Sequence, residues 1–237
     1  MLGKFKQRSE RQERIDTGDY TADEYRRFLR EIAFINRHLG DRRALRRSVF
    51  QEIEERGLTE FSLLDVGAGS GELLRATAEW ARSTGRRARL AGIDLSPISP
   101  AAAGRGDGIA HVQGDARQLP LTDGSFDIVI SSLFFHHLTD DDAARVLAEM
   151  RRVARETVYV IDLVRHPAAW ILYRMMCSAL SISRLVREDG SLSVMRGFTD
   201  GELSKIARNA GAVDAVERRS APYRIILKTS GNAAGQA

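Results

Sequence analysis

Leu63-Leu64-Asp65-Val66-Gly67-Ala68-Gly69-Ser70-Gly71-Glu72-Leu73-Leu74 passes from an apolar stretch through alternating glycines into the start of an amphipathic pattern. A short apolar run that meets glycine and then helical spacing is a buried strand turning tightly into a helix. The glycines let the backbone turn and come close to a ligand. Free N–H groups at the start of the helix favour a carboxylate or phosphate there by ~0.3–1 kcal/mol. A ligand with a negatively charged end is therefore expected at this turn.

Downstream, apolar runs alternate with amphipathic ones. Strands are expected at Ser62–Val66, Ala88–Asp94, Ala110–Gln113, Phe126–Ser131 and Thr157–Leu163, with helices between them. That alternation is the pattern of a parallel sheet covered on both faces. Thr139 caps a helix that carries Asp140, Asp141 and Asp142 in its first turn and Arg151 and Arg152 in its last, which suits the helix dipole at both ends. The last helix opens at the capping box Thr199-Asp200-Gly201-Glu202 and closes at Gly211. Ala212–Glu217 and Tyr223–Thr229 follow as strands, and only Arg218 to Pro222 joins them, too little chain for a crossover helix. They are read as an antiparallel hairpin.

Upstream of the glycine turn, residues 1–18 are polar and are expected to be mobile. Thr21-Ala22-Asp23-Glu24 is a capping box, and Phe28, Leu29, Ile32, Ile35 and Leu39 give a helix that stops near Gly40. A second helix from about Asp41 carries Leu45, Val49 and Ile53 on one face and ends at Gly57. The expected architecture is a Rossmann-like, doubly wound α/β sheet. It is mostly parallel with a C-terminal antiparallel hairpin, and it has N-terminal helices and a helical insert before the last helix. Residues 1–58 are assigned to a helical cap, 59–230 to the ligand-binding domain with 167–197 as an inserted lid, and 231–237 to a disordered tail.

The 237 residues are 43% hydrophobic and 29% charged, which suits one folded domain and excludes a collagen-like or disordered chain. Cys177 is the single cysteine and can form no internal disulfide, and MLGKFKQRSE at the start lacks the apolar stretch of a secretory signal. A cytoplasmic protein is expected. Ala168 to Ile182, the most apolar run, is broken by Arg174 and falls short of the ~18–20 residues that cross a bilayer, so no membrane insertion is expected. The net charge of +4 is not gathered into a basic stripe with interleaved aromatics, and no nucleic-acid partner is read from it. No metal site is read from the sequence either.

Two acids extend the ligand reading. Asp94 closes the second strand at a distance from the glycines where a carboxylate accepts both hydroxyls of a ribose. Asp115 ends the third strand on the same side of the sheet, placed to accept from an adenine amino group while the Ala116 N–H donates to the ring. The ligand reads as an adenosine with a charged tail. A dinucleotide-binding oxidoreductase competes with this reading, but G-x-G-x-x-G counted from Gly67 puts Glu72 where the third glycine belongs, and its carboxylate would repel a pyrophosphate.

LLDVGAGSG at 63–71, GIDLS at 92–96, QGDARQLPL at 113–121 and SFDIVISSLFFHHL at 125–138 resemble the class I S-adenosylmethionine-dependent methyltransferases. Within that class they are most similar to the small-molecule group that includes quinone-biosynthesis enzymes. The resemblance covers about residues 60–163. It implies S-adenosylmethionine as cofactor and S-adenosylhomocysteine as product. By the same resemblance Gly67, Ala68, Gly69 and Gly71 line the methionine part, Asp65 orients it, and Asp94 holds the ribose with Leu95 in the same site. Asp115 and Ala116 hold the adenine, and the Ser131 backbone meets the donor's amino group. Pro97 and Pro100 depart from the pattern, since a helix usually follows the second strand; a short helix or a loop is expected there.

A sulfonium methyl is already activated, so such an enzyme mainly holds donor and nucleophile in line, a contribution of up to ~7–11 kcal/mol. An oxygen acceptor needs its proton removed. His136 and His137 follow the fourth strand and can act as base near neutral pH, although one of them could instead cap the helix at Thr139 or pack on the sheet. Asn36 and Arg37 on the first helix are candidates to reach the donor carboxylate or the acceptor, against the plainer reading of Arg37 as a solvated charge. The insert, with Trp170, Tyr173, Met175 and Met176, suits a lid over an aromatic or acyl substrate, and equally a core or a dimer contact. The expected function is O-methylation of a phenol, quinol or polyketide-like hydroxyl in secondary metabolism, by a monomer or homodimer. The alternatives are a non-catalytic S-adenosylmethionine-binding regulatory subunit, or methylation of a protein or nucleic acid. Against base N-methylation, Ser131-Ser132-Leu133-Phe134 stands where an Asn/Asp-Pro-Pro-aromatic stretch would be.

Overall fold

Consecutive residues of the central strands face opposite sides of the sheet, and both sides are apolar. In a computed structural model, which describes residues 2–96 and 108–232, the strands are β1 (Glu60–Val66), β2 (Arg87–Asp94), β3 (Ala110–Gln113), β4 (Phe126–Ser132), β5 (Ala154–Leu163), β6 (Val216–Ser220) and β7 (Arg224–Ser230). They form one sheet in the order β3-β2-β1-β4-β5-β7-β6. β1 to β5 pair in parallel and β7 runs antiparallel to both β5 and β6. The strand order reverses direction between β1 and β4, and a crevice opens there beyond the carboxyl ends of the strands.

One face of the sheet carries Leu64, Val66, Val129, Val158 and Val160. It is covered by α6 (Asp140–Val153) through Val146, Leu147 and Met150 and by α9 (Glu202–Asn209) through Leu203 and Ile206. The other face carries Leu63, Ile128, Ile130 and Ile161. Leu45 and Ile53 cover it from α3 (Asp41–Leu45) and α4 (Gln51–Glu55), joined by a π turn at Arg46–Phe50, and Leu74 and Trp80 from α5 (Glu72–Ser83). Each fully buried Leu or Ile contributes ~1.5–3 kcal/mol of hydrophobic stabilisation, so these two layers fix the sheet as a rigid platform.

A third, smaller cluster sits above the crevice. It joins α2 (Ala22–His38) to α7 (Pro167–Ala179) and α8 (Arg184–Arg196) through Ile35, Tyr173, Cys177 and Val186. The capping box of α2 is complete: the Thr21 hydroxyl accepts from the Glu24 N–H, and the Glu24 carboxylate accepts from the Thr21 N–H. Gly57 adopts the left-handed conformation expected of it after α4. Among the described residues, no helix is long and apolar enough to cross a membrane.

Two expectations need correction. Residues 2–18 are not a solvated start. They include a 3-10 turn (Leu2–Phe5) and α1 (Arg14–Thr17), and they are bonded to the far end of the chain. Asp189 accepts from the N–H groups of Arg14 and Ile15, and the Arg8 guanidinium donates to the carbonyls of Leu138 and Arg196. Polar side chains that read as solvated are satisfied by partners that no local pattern reveals. The hairpin, too, starts later than expected, because Arg218 and Arg219 extend β6 rather than forming the turn. β6 is an edge strand, where outward arginines keep the exposed backbone from pairing with another chain. The segment after β2 with its two prolines, and the tail beyond residue 232, lie outside the described residues.

Candidate active site

The glycine turn crosses from β1 to α5 at the crevice. Gly67, Gly69 and Gly71 all have positive φ. At Gly67 a side chain is excluded twice over, since an added Cβ would lie 2.6 Å from Phe134 Cγ. The turn is tied to β2 by the N–H groups of Gly67 and Ala68, which donate to the Ile93 carbonyl. Asp94 completes the tie, with one carboxylate oxygen accepting from the Gly69 N–H at 2.8 Å and the other from the Ser96 N–H at 2.9 Å.

Asp65 stands beneath this turn, 3% exposed, and its Oδ1 has no hydrogen-bond partner among the described residues. Burial, and then the charge of Asp94, push its carboxyl up to about 8. A buried carboxyl without a donor is costly, and a cationic ligand group would relieve it.

Asp65, Gly67, Ala68, Gly69, Asp94 and Leu95 all reach one cavity of 950 Å³. That is at the upper end of the ~300–1,000 Å³ typical of small-molecule sites. Its opposite wall is apolar, with Phe28 and Ile32 of α2, Leu172, Tyr173 and Met176 of α7 and Val194 of α8. Asn36 also reaches the cavity, while the side chain of Arg37 lies outside the described part of the structure.

Four further residues expected at the site are not brought to the cavity wall. Gly71 caps the start of α5 and is not on the wall, although its neighbours Ser70 and Glu72 are. Ser131 is fully buried, with its hydroxyl donating to the Val66 carbonyl at 2.8 Å, and it is the next residue, Ser132, that meets the cavity. Asp115 is paired with Arg117 at 2.8 Å, which holds its carboxyl below the usual range, and Ala116 packs against the core.

Both histidines reach the cavity, from a 3-10 turn (Phe135–His137) that follows β4. His136 is buried, and its Nδ1 lies 2.7 Å from Oδ1 of Asp162, a fully buried acid near the end of β5. The burial of Asp162 raises its pKa, and the charge and hydrogen bond of His136 more than reverse that. His137 Nδ1 lies 2.9 Å from Oδ2 of Asp16 on α1. Burial lowers the His137 pKa, but the Asp16 hydrogen bond and the charges of Glu13, Asp16 and Asp162 outweigh it, so the net shift is upward. Neither ring caps the helix at Thr139, whose own hydroxyl accepts from the Asp142 N–H.

Glu13, Asp16 and Asp162 are the residues that sequence reasoning missed. Asp162 had a readable signal, an acid near the carboxyl end of a strand, like Asp94. Glu13 and Asp16 had none, because their partners are more than a hundred residues away.

A parallel sheet with this strand order, a glycine turn at its switch point and acids beneath and beside that turn match what the resemblance to class I S-adenosylmethionine-dependent methyltransferases leads one to expect, and known proteins of that kind are similar to this chain. Residues 64–161 match the family model described as a methyltransferase domain. Over 99 residues the chain is 35% identical to the ubiquinone/menaquinone biosynthesis C-methyltransferase UbiE of Hahella chejuensis, covering 40% of this chain and 39% of that one. It is 28% identical over 149 residues to an uncharacterized methyltransferase of Synechocystis, covering 58% and 66%. The chain thus spans about two-fifths of the length of the first of these relatives. Among solved structures it is similar to magnesium protoporphyrin IX methyltransferase from Synechocystis with bound S-adenosylhomocysteine, with a TM-score of 0.58, 16% identity, and coverage of 88% of this chain and 94% of that one. A methyltransferase from Aquifex aeolicus gives a TM-score of 0.54 at 19% identity, covering 78% and 89%. At these identities the structural likeness concerns the fold.

Proposed function

We propose that the chain transfers a methyl group from S-adenosylmethionine to the oxygen of a small, apolar aromatic acceptor such as a phenol or quinol. The observation that carries the donor half is the unpaired, buried Asp65 beside the glycine turn, on the wall of the same cavity as Asp94. An α-ammonium group placed against Asp65 would supply the missing partner. The turn's glycines would admit the amino-acid part, and the free face of the Asp94 carboxylate would accept from a ribose. Gly71, Ser131, Asp115 and Ala116 belong to the same donor site by resemblance, and Arg37 is a candidate for the donor carboxylate or the acceptor from its place on α2. When bound, the donor supplies an electrophilic methyl on a sulfonium.

The acceptor half rests on the apolar wall and the histidines. α2, α7 and α8 act as cap and lid over an aromatic ring, with residues 1–58 and 167–197 as the units that set specificity. His136 and His137 stand where the acceptor hydroxyl would enter, each turned by a carboxylate at Nδ1, and one of them takes the proton as the oxygen attacks. A second product deserves the same assay, because the relatives named for quinone biosynthesis are C-methyltransferases. Deprotonating a phenol activates its ring carbons as well as its oxygen.

The experiment is incubation of the purified protein with methyl-labelled S-adenosylmethionine and a panel of phenols, quinols and hydroxylated polyketide-like aromatics, with the label located by NMR. Label on oxygen supports the proposal. Label on a ring carbon moves it to C-methylation, and labelling only of added protein or nucleic acid contradicts it.

A further inference from the structure

We propose that the N-terminal segment from Glu13 to Asp16 is part of the catalytic centre: Asp16 positions His137 as the general base, and Glu13 stabilises the imidazolium that forms. The inference rests on the methyl-transfer reading above and assigns residues outside the methyltransferase-domain match, which begins at residue 64.

The segment is held in place from several sides. Asp189 of α8 accepts from the N–H groups of Arg14 and Ile15, at 3.1 and 3.0 Å. Ser193 of α8 donates its hydroxyl to Glu13 Oε1 at 2.8 Å. Arg196 bridges the two halves of the centre: its guanidinium donates to the carbonyls of His136 (2.8 Å) and His137 (2.7 Å) and to the carbonyl of Arg11. One arginine thus fixes the histidine turn and the N-terminal segment against each other.

A carboxylate only accepts, so Asp16 selects the His137 tautomer with its proton on Nδ1, leaving Nε2 to face an acceptor. Glu13 is 3% exposed, and its Oε1 lies 3.9 Å from His136 Nε2. Burial pushes the Glu13 carboxyl up, while both histidines pull it back. In the step itself, the acceptor O–H proton moves to His137 Nε2 while the oxygen forms a bond to the methyl carbon. The methyl carbon–sulfur bond breaks and its electron pair stays on sulfur. His137 gains a positive charge, and Asp16 and Glu13 face it. The charged groups around His137 are Asp16 and Glu13 from the N-terminal segment, His136 beside it, Asp162 from β5 and Arg196 from α8.

Asp16 is the residue to change, since a third of its side chain is exposed and its loss should leave the fold intact. Asp16→Asn, Asp16→Glu and Glu13→Gln are made in the full chain. The His137 ring is followed by NMR against pH, beside donor affinity and the single-turnover rate. In the wild type, His137 should titrate above the ordinary imidazole value of about 6.5. Asp16→Asn should move that titration, and the acid limb of the rate profile, to lower pH. It should also cut the plateau rate by at least about tenfold at unchanged donor affinity. Asp16→Glu should restore most of the loss, and Glu13→Gln should shift the titration in the same direction by less.

An Asp16→Asn protein whose His137 titration matches the wild type would overturn the proposal even if no acceptor had yet been found. So would loss of rate on dialysis against a chelator that Zn²⁺ restores in the wild type but not in Glu13→Gln, because Glu13, His136 and His137 would then be metal ligands. Absence of methyl transfer in a wild type with the expected His137 shift would instead count against the functional reading alone.

Discussion

The glycine turn and the histidine centre line one cavity, yet they are built in opposite ways. Residues 63–74 make their half from contiguous chain, and the second half of that site, Asp94, lies on the adjacent strand. The histidine centre draws on α1, the turn after β4, the end of β5 and α8, and arginine and carboxylate contacts hold it together. The contrast suggests a division of labour. A contiguous turn on a rigid sheet suits the constant ligand, the donor, whereas a centre assembled from the cap and lid suits the chemistry of a particular acceptor. Changes on one side should leave the other side's measurements alone.

The largest effect is expected on the histidine side. His137→Ala should lower the single-turnover rate by roughly 10²–10⁴-fold while donor affinity stays at the wild-type value. Equal loss of donor affinity would break the division. His136→Ala should also slow the step, but it takes the imidazole from buried Asp162 and leaves that acid only the backbone N–H groups of residue 136 and Leu163, at a cost of about 1–3 kcal/mol, so its melting temperature has to be read beside its rate. Unaltered single-turnover rates in both variants would remove the pair from the mechanism.

On the turn side, Asp94→Ala should lose charge-assisted hydrogen bonds worth ~1.5–3 kcal/mol and weaken donor binding by about tenfold or more. At saturating donor its chemical step should be near the wild-type rate. A folded Asp94→Ala protein with unchanged donor affinity would contradict the ribose assignment.

A smaller effect sharpens the role of Asp65. With its pKa raised to about 8, this carboxyl is mostly protonated at pH 7 in the free protein. A cationic ligand group favours the ionised form, so binding should release a proton below pH 8. Donor affinity should therefore rise with pH, by less than about tenfold per unit, and level off above 8. Titration calorimetry in buffers of different ionisation enthalpy measures that proton, and Asp65→Asn should abolish it.

Legibility followed the same divide. The strands, the mostly parallel sheet with its antiparallel hairpin and the glycine turn between strand and helix were readable, because apolar alternation and glycine spacing act within a dozen residues, whereas the strand order was not; Asp94 was a candidate from its place at a strand end and Asp65 from the resemblance. His136 and His137 were readable as candidates because they sit just past a strand end. What turns them into a centre was not. Glu13 and Asp16 look like solvated charges until α8 is placed beside them, and the partners of Arg196 are backbone carbonyls, which carry no sequence signal. Ser131 and Ser132 illustrate a finer limit: a one-residue step along a strand exchanges the buried face for the cavity, and only the register decides which residue is presented.

The most direct test of the donor assignment is isothermal titration of the purified protein with S-adenosylmethionine and, separately, with NADH. The account predicts one site of about micromolar affinity for the first, with no heat from the second. Binding of NADH, or of neither, would contradict it.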